Sequence, residues 1–116
     1  MKYFIIIVLC ILSLFLVGCS SKASYDLFAT CLTENGVKMY GAFWCSHCTE
    51  QKKLFGDSFQ YVNYVECSLP DGKSQTELCS KEEISSYPTW ELGDGTRFAG
   101  VIGLEDLSQR TNCSLH

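Results

Sequence analysis

Two cysteines three positions apart, Cys45 and Cys48, are the side chains of this sequence best suited to chemistry. They follow an aromatic pair in the stretch FWCSHCTEQKKLF, and a charged run that favours a helix comes after them. A pair with this spacing can form a redox-active disulfide, supply two ligands of a metal ion, or belong to a set of structural disulfides. The composition and the remaining cysteines have to decide among these interpretations.

The composition and charge narrow the class of protein. A chain of 116 residues is long enough for one domain and too short for two. Its formal net charge of -4, together with the lack of a basic stripe in the sequence, disfavours nucleic acid as a partner. Eight cysteines are a high count for this length and indicate an oxidising compartment, where disulfides persist.

The N-terminus carries an export pattern. Residues 4–18 form an apolar run that is shorter than the roughly 20 residues of a membrane span and is typical of a secretory signal. The run leads into LVGC, which resembles a bacterial lipobox, so 1–18 is predicted to be a lipoprotein signal peptide and Cys19 the lipidated residue. Residues 19–23 form a polar tether. We expect a membrane-anchored protein of the cell envelope whose domain faces the periplasm or exterior; an uncleaved anchor, or a signal cut elsewhere, is the alternative.

Hydrophobic periodicity predicts alternating helices and strands. Helices are predicted at 24–35, 46–56, 75–84 and 104–113, and strands at 37–44, 61–67, 87–92 and 96–102. A parallel βαβ unit followed by a hairpin and a helix gives an α/β fold with one four-stranded mixed sheet flanked by helices. The dithiol then lies where a strand ends and a helix begins, and the free N–H groups of a helix start favour a thiolate.

The other cysteines limit the alternatives. Setting aside Cys10 in the apolar run and the lipidated cysteine leaves an even number, which allows 15 pairings: Cys31, Cys45, Cys48, Cys67, Cys79 and Cys113. A zinc site that adds Cys67 and Cys79 to the dithiol is disfavoured, because these two are too far apart in sequence for a tight cysteine knuckle. The motif CSHCT lacks the histidine that follows the second cysteine at covalent haem sites. Neither a metal nor a cofactor is expected.

Further motifs together resemble the thioredoxin fold. FWCSHC follows a predicted strand, YPT supplies a proline before the third strand, and DGTRFAGVIGLEDL resembles the closing hairpin and helix of that family. A closer resemblance, carried by KMYGAFWCSHCTEQKKLFG, YVNYVEC and SYPTWEL, is to the thioredoxin-like domain that is fused to, or partnered with, vitamin K epoxide reductase homologues. The resemblance covers roughly 24–113, so a thioredoxin-like domain is predicted at 24–116.

The resemblance implies roles for residues around the dithiol. Cys45 would form the mixed disulfide with a substrate, and Cys48 would resolve it. Pro88 would follow a cis peptide bond and pack beside the dithiol, while the residues on either side of it present backbone to the substrate chain. The residues expected to support the site are Trp44, Ser46, His47, Tyr87, Pro88 and Thr89.

Two departures from the thioredoxin pattern concern the chemistry. Met39 stands where thioredoxins usually carry a buried acidic residue that helps to deprotonate the second cysteine, so proton transfer from Cys48 must use another group or water. The dipeptide between the cysteines is Ser46-His47, and a histidine before the second cysteine also occurs in strongly oxidising periplasmic relatives. A His47 side chain or backbone near the Cys45 sulfur would stabilise the thiolate and make the disulfide a stronger oxidant.

Two disulfides are predicted outside the dithiol. Cys67 ends the second strand and Cys79 lies on the next helix, so the intervening turn can bring them together, and the family likeness has a pair at these places. The alternative for this pair is a second redox relay that exchanges with Cys45. Cys31 and Cys113 lie on the terminal helices, which can share a face of the sheet; two unpaired buried thiols are the alternative there.

The sequence thus predicts an envelope thiol–disulfide oxidoreductase. Its Cys45/Cys48 pair would oxidise dithiols in exported, cysteine-containing proteins and pass the electrons to a quinone-linked membrane oxidase of the vitamin K epoxide reductase type, a partner implied by the resemblance. The alternative is a disulfide reductase or isomerase fed by another membrane electron carrier. A non-catalytic binding module, held at the membrane by its lipid anchor, is a further alternative.

Overall fold

A computed structural model describes residues 1–3, 5 and 24–116 of the chain. Most of the predicted signal peptide, the whole tether and the predicted lipidation site Cys19 lie outside these residues. Within the described part, no helix combines the length and apolarity that crossing a bilayer requires.

Residues 24–116 contain the predicted alternation of helices and strands. The helices are α1 (Asp26–Glu34), α2 (Ser46–Phe55), α3 (Glu77–Lys81) and α4 (Leu104–Thr111), and the strands are β1 (Lys38–Gly41), β2 (Asn63–Glu66), β3 (Thr89–Glu91) and β4 (Arg97–Ala99). The strands are shorter than predicted; β3, for example, begins only after Pro88, which has no N–H to donate to a neighbouring strand.

The strands form one mixed sheet in the order β2-β1-β3-β4. β1 and β2 are parallel and joined by α2, whereas β3 is antiparallel to both of its neighbours, β1 and β4. This connectivity is the βαβ unit followed by a hairpin and a helix, so the predicted α/β, thioredoxin-like fold is confirmed.

Both faces of the sheet are covered. Met39 on β1 packs in a cluster with residues of α1, α2 and α4, including Phe28, Phe55 and Leu107. The next residue, Tyr40, packs instead with Cys79 of α3. Because successive residues of a strand point to opposite faces, three helices cover one face and α3 covers the other.

A 3₁₀ helix, Gly56–Tyr61, occupies the segment between α2 and β2, and sequence periodicity did not predict it. Gly56 ends α2 with a φ of 58°, a conformation that glycine adopts without steric cost. Ser58 then donates a hydrogen bond to Asp26 of α1 at 2.6 Å and accepts one from the Tyr25 N–H at 2.9 Å. These tertiary bonds hold the 3₁₀ helix against the start of α1.

The structure contains both predicted disulfides. Cys31 of α1 is joined to Cys113, just after α4, with their Cα atoms 5.9 Å apart. Cys67, at the end of β2, is joined to Cys79 of α3, with a Cα separation of 5.5 Å. The first bridge connects the two ends of the domain, and the second closes the turn between β2 and α3.

The two disulfides should differ in their effect on stability. Replacing both members of a pair by alanine removes a constraint on the unfolded chain that grows with loop length, and the sequence separations are 82 and 12 residues. We expect the free energy of unfolding to fall by about 4.5 kcal/mol for Cys31→Ala/Cys113→Ala and by about 3 kcal/mol for Cys67→Ala/Cys79→Ala. Equilibrium denaturation in urea measures both; a reversed order would contradict the assignment of the long-range bridge as the stronger constraint.

Candidate active site

The dithiol lies at the start of α2. After β1 ends, Cys45 becomes the residue that caps the helix, with an extended backbone conformation. Its Sγ accepts a hydrogen bond from the N–H of Cys48 at 3.2 Å. This backbone donor and the positive end of the helix dipole both favour negative charge on the Cys45 sulfur.

The two cysteines differ in exposure. Both are free thiols in the structure, and Cys45 is 6% exposed whereas Cys48 is 1% exposed. The Cys45 sulfur also lies 3.6 Å from the backbone oxygen of Tyr87, at the rim of the site. A substrate sulfur can therefore approach Cys45 more readily than Cys48, which suits Cys45 to attack and Cys48 to resolve.

The environment of Cys48 strongly disfavours its thiolate. Burial, and after it the hydrogen bond with Cys45, raises the pKa of the Cys48 thiol to about 12, while the positive charge of Lys52 lowers it by a smaller amount. At neutral pH Cys48 therefore keeps its proton. Any reaction in which its sulfur attacks needs a group that accepts this proton.

The loop before β3 forms the opposite wall of the site. The Tyr87–Pro88 peptide bond is cis, and the Pro88 side chain is buried. Tyr87 is held by its hydroxyl, which accepts a hydrogen bond from Gln75 at 2.8 Å. Thr89 donates from its hydroxyl to the backbone oxygen of Ser86 at 2.7 Å, so its side chain shapes the loop.

An open cleft and two exposed aromatic side chains surround the dithiol. The cleft has a volume of about 430 Å³, and its lining consists of Trp44, Cys45, Ser46, His47, Ser85, Ser86 and Tyr87. Trp44 is 55% exposed, stands edge-to-face against Tyr87, and donates from its indole N–H to Ser68 at 3.0 Å. Phe43, 53% exposed, adds apolar surface beside it. This surface can receive an extended chain that brings a sulfur to Cys45.

The His47 side chain lies near Glu50 and has no described bond to the Cys45 sulfur. Its imidazole is exposed, and its Nδ1 lies 3.6 Å from the carboxylate of Glu50, one turn along α2. The hydrogen bond that reaches the Cys45 sulfur comes from the backbone of Cys48. His47 lines the cleft without a described bond to either sulfur, so of the two possibilities considered for His47, side chain or backbone, neither supplies the donor that reaches Cys45.

The structure disfavours two alternative roles for Cys67 and Cys79, namely zinc binding beside the dithiol and disulfide exchange with Cys45. Cys67 and Cys79 are joined to each other, which removes them as zinc ligands beside the dithiol. Both are fully buried in the cluster around Tyr40, on the face of the sheet opposite the dithiol cluster. A buried bridge on the other face is poorly placed to exchange with Cys45.

The sequence did not predict a role near Cys48 for three residues, Gly41, Tyr64 and Glu66. A Cβ placed on Gly41 would lie 3.0 Å from the Cys48 sulfur and 3.1 Å from the hydroxyl of Tyr64, so both atoms border the space beside this glycine. The Tyr64 hydroxyl donates in turn to Glu66 at 3.2 Å. The period-2 pattern of β2 places Tyr64 and Glu66 on one face of the strand, and its parallel pairing with β1 brings that face to the dithiol. The alternation of side chains along β2, together with the predicted parallel pairing of β1 and β2, could therefore have indicated that Tyr64 and Glu66 lie near the dithiol.

The described residues 24–116 combine a thioredoxin-like fold with a dithiol at a helix start and a cis-proline loop beside it. No protein-family model matches the sequence. The chain is 44% identical to the thiol-disulfide oxidoreductase LTO1 of Arabidopsis thaliana in an alignment 102 residues long, which covers 83% of this chain and only 27% of that relative. Among solved structures, thioredoxin O2 of Arabidopsis thaliana in the oxidised state is similar with a TM-score of 0.40 and 18% identity, covering 77% of this chain and 90% of that one.

The difference between the two thiols should appear in alkylation of the reduced dithiol. Because Cys45 lines the open cleft and Cys48 is buried and keeps its proton, we expect iodoacetamide at neutral pH to modify Cys45 and to leave Cys48 unmodified. Because the pKa of Cys48 is raised to about 12, its modification should rise only as the pH approaches that value. Peptide mass spectrometry measures both sites. In denaturant the two should react alike, and equal rates in the folded chain would contradict the burial of Cys48.

Proposed function

We propose that this chain is a protein thiol–disulfide oxidoreductase of the cell envelope that oxidises dithiols in exported proteins. The observation that carries the proposal is the position of the two sulfurs: Cys45 lines an open cleft at a helix start, and Cys48 is fully buried one turn behind it. The 44% identity to a protein named as a thiol-disulfide oxidoreductase supports the reaction class.

In the proposed cycle the oxidised domain carries a Cys45–Cys48 disulfide. A substrate thiolate attacks the Cys45 sulfur, the Cys45–Cys48 bond breaks, and Cys48 leaves as a thiolate that takes up a proton. A second thiolate of the substrate then attacks the substrate sulfur of the mixed disulfide. The substrate leaves with a new disulfide, Cys45 leaves as a thiolate, and two electrons remain in the dithiol.

The oxidative direction is favoured by the environment of Cys45. Its sulfur has a backbone N–H donor and the helix dipole, both of which stabilise the thiolate and so the reduced form. A stabilised reduced form makes the disulfide a stronger oxidant. We propose that a quinone-linked membrane oxidase of the vitamin K epoxide reductase type then takes the two electrons. The apolar surface of Phe43 and Trp44 offers a docking area for both substrate and oxidase.

The envelope location is supported by two independent features. The domain carries two disulfides outside the dithiol, which are stable in an oxidising compartment. The N-terminal sequence has the signal and lipobox pattern that ends at Cys19. We propose that the mature chain is held at a membrane by lipid on Cys19 and that the domain faces the periplasm or exterior.

If Cys45 attacks and Cys48 resolves, a variant without Cys48 should accumulate the mixed disulfide with its substrate. In a Cys48→Ala variant, Cys45 can still attack a substrate disulfide, but nothing resolves the product, so a covalent complex should accumulate. A Cys45→Ala variant should form none. Non-reducing electrophoresis followed by mass spectrometry detects the complex. Cys31→Ala/Cys113→Ala, which removes a bridge away from the site, is the matched control and should behave as wild type at a temperature where it is folded.

The same variants report the direction of the reaction. The wild-type chain should accelerate the oxidative refolding of reduced ribonuclease more than the reduction of insulin. The reverse ranking would favour the reductase function, and no activity in either assay would leave a binding module as the function. Loss of both activities in Cys45→Ala shows that the dithiol is responsible.

Lipidation can be tested separately from the redox reaction. A Cys19→Ser variant should fail to incorporate a labelled fatty acid and should move from the membrane fraction to the soluble envelope fraction. Cys10→Ser, which changes the other cysteine of the N-terminal region, should keep both the label and the membrane association. A wild-type chain without label, or a Cys19→Ser chain that stays on the membrane, would contradict the lipid anchor.

A further inference from the structure

Within the proposed oxidoreductase, the step in which Cys48 resolves the mixed disulfide requires an acceptor for the Cys48 proton. When Cys48 attacks a mixed disulfide on Cys45, it has to lose a proton while almost fully buried. Burial is the main cause of the raised pKa of the Cys48 thiol, so at neutral pH this proton does not leave without an acceptor. Met39, at the position of the usual acidic residue, is itself fully buried in the apolar cluster and has no titratable group.

A polar path leads away from Cys48 on the side of β2. The Cys48 sulfur and the Tyr64 hydroxyl lie 3.0 and 3.1 Å from the same point, the place that a Cβ on Gly41 would occupy. Because Gly41 has no side chain, both groups border the same small space beside the end of β1. From Tyr64 the path continues to Glu66, whose Oε1 accepts the tyrosine hydrogen bond at 3.2 Å.

The carboxylate at the end of the path is held in place by backbone donors. Oε2 of Glu66 accepts hydrogen bonds from the N–H of Phe43 at 3.2 Å and from the N–H of Ser68 at 3.1 Å. Glu66 is only half-buried, so it can exchange a proton with solvent. It therefore connects the buried sulfur to the outside at the end of β2.

Lys52, Cys45 and Glu66 are the titratable groups that influence the pKa values of Cys48 and Tyr64 along this path. Lys52 of α2 lies 4.0 Å over the Tyr64 ring, and Cys45 is the other titratable neighbour of Cys48. Burial, followed by the negative charge of Glu66, raises the pKa of Tyr64, so its hydroxyl stays protonated and able to donate. Glu66 is then the acceptor that the Tyr64 hydroxyl connects, by its hydrogen bond, to the space beside the Cys48 sulfur.

We propose that Tyr64 and Glu66 form a proton relay that serves Cys48 in place of the acidic residue missing at Met39. In the resolving step the Cys48 S–H gives its proton to the Tyr64 oxygen, and the Tyr64 O–H gives its own to the Glu66 carboxylate. The Cys48 sulfur forms a bond to Cys45, and the bond between Cys45 and the partner sulfur breaks. The electron pair leaves on the partner as a thiolate. The reverse reaction runs through the same path, with protonated Glu66 as the proton source.

A two-phase reaction of the reduced full chain with Ellman's reagent separates this relay from the proposed function on which it rests. Attack by Cys45 releases one thionitrobenzoate, and attack by Cys48 on the resulting mixed disulfide releases the second. If the first phase is absent in wild type, or persists in Cys45→Ala, the proposed function fails. The relay concerns the second phase alone.

Tyr64→Phe and Glu66→Gln should each slow the second phase by about 100-fold at neutral pH, the lower range for general acid–base catalysis. Both should approach the wild-type rate at high pH, where hydroxide removes the Cys48 proton directly. The double variant should be no slower than the slower single variant, because both act in one path. The first phase should stay within about twofold, since Cys45 does not depend on the relay.

Two control variants distinguish loss of the relay from a general effect of removing a tyrosine hydroxyl or a carboxylate. Tyr61→Phe and Glu77→Gln remove the same chemical groups at exposed positions away from the dithiol, and neither should change the second phase. If Glu66 acts only as a nearby negative charge, Glu66→Gln will speed the second phase by easing ionisation of Cys48. A second phase that is faster or unchanged in Glu66→Gln and unchanged in Tyr64→Phe overturns the relay. Should Glu66→Gln disturb the first phase through its bonds to Phe43 and Ser68, Tyr64→Phe decides alone.

Discussion

The arrangement of the site depends on the missing side chain at Gly41. A Cβ there would lie 2.8 Å from a ring carbon of Tyr64 and 3.0 Å from the Cys48 sulfur, closer than packed atoms tolerate. Because position 41 carries only hydrogen, α2 can pack directly on the end of β1, and this contact buries Cys48. The same approach places the Tyr64 hydroxyl opposite the sulfur. One steric constraint therefore sets both the high pKa of Cys48 and the polar group that faces it.

A buried amide holds α2 in this position relative to the second half of the sheet. Gln51 is fully buried, and its Oε1 accepts from the Trp90 indole N–H at 3.2 Å and from the Ile102 N–H at 2.8 Å. Its Nε2 donates to the Ile102 backbone oxygen at 3.0 Å. A buried amide without these partners would be costly, so the three bonds select one packing of α2 against β3 and the segment after β4. That packing keeps the Cys45 sulfur beside the Tyr87 carbonyl.

The chain separates structural from reactive sulfur by burial and position. Cys67 and Cys79 are fully buried and fix the turn that carries Ser68, the hydrogen-bond acceptor of Trp44. Their bridge supports the rim of the site from the far face of the sheet. In the dithiol, Cys45 lines an open cleft, whereas Cys48 is fully buried. A thiol–disulfide exchange site in a protein with further disulfides requires this separation, because accessible bridges would exchange with each other.

The sequence by itself determined the order of elements, the place of the dithiol at a helix start, and the likeness to thioredoxin-like domains. These features are local or periodic: hydrophobic spacing, glycine stops and a CxxC motif can be read without knowing what packs where. Only the tertiary structure showed that His47 turns toward Glu50 and that a 3₁₀ helix precedes β2. It also decided what stands near Cys48. Tyr64 lies in a different strand, and its hydroxyl and the Cys48 sulfur border the same space only because β2 pairs in register with β1 beside Gly41. This relation between distant residues is contained in no local pattern.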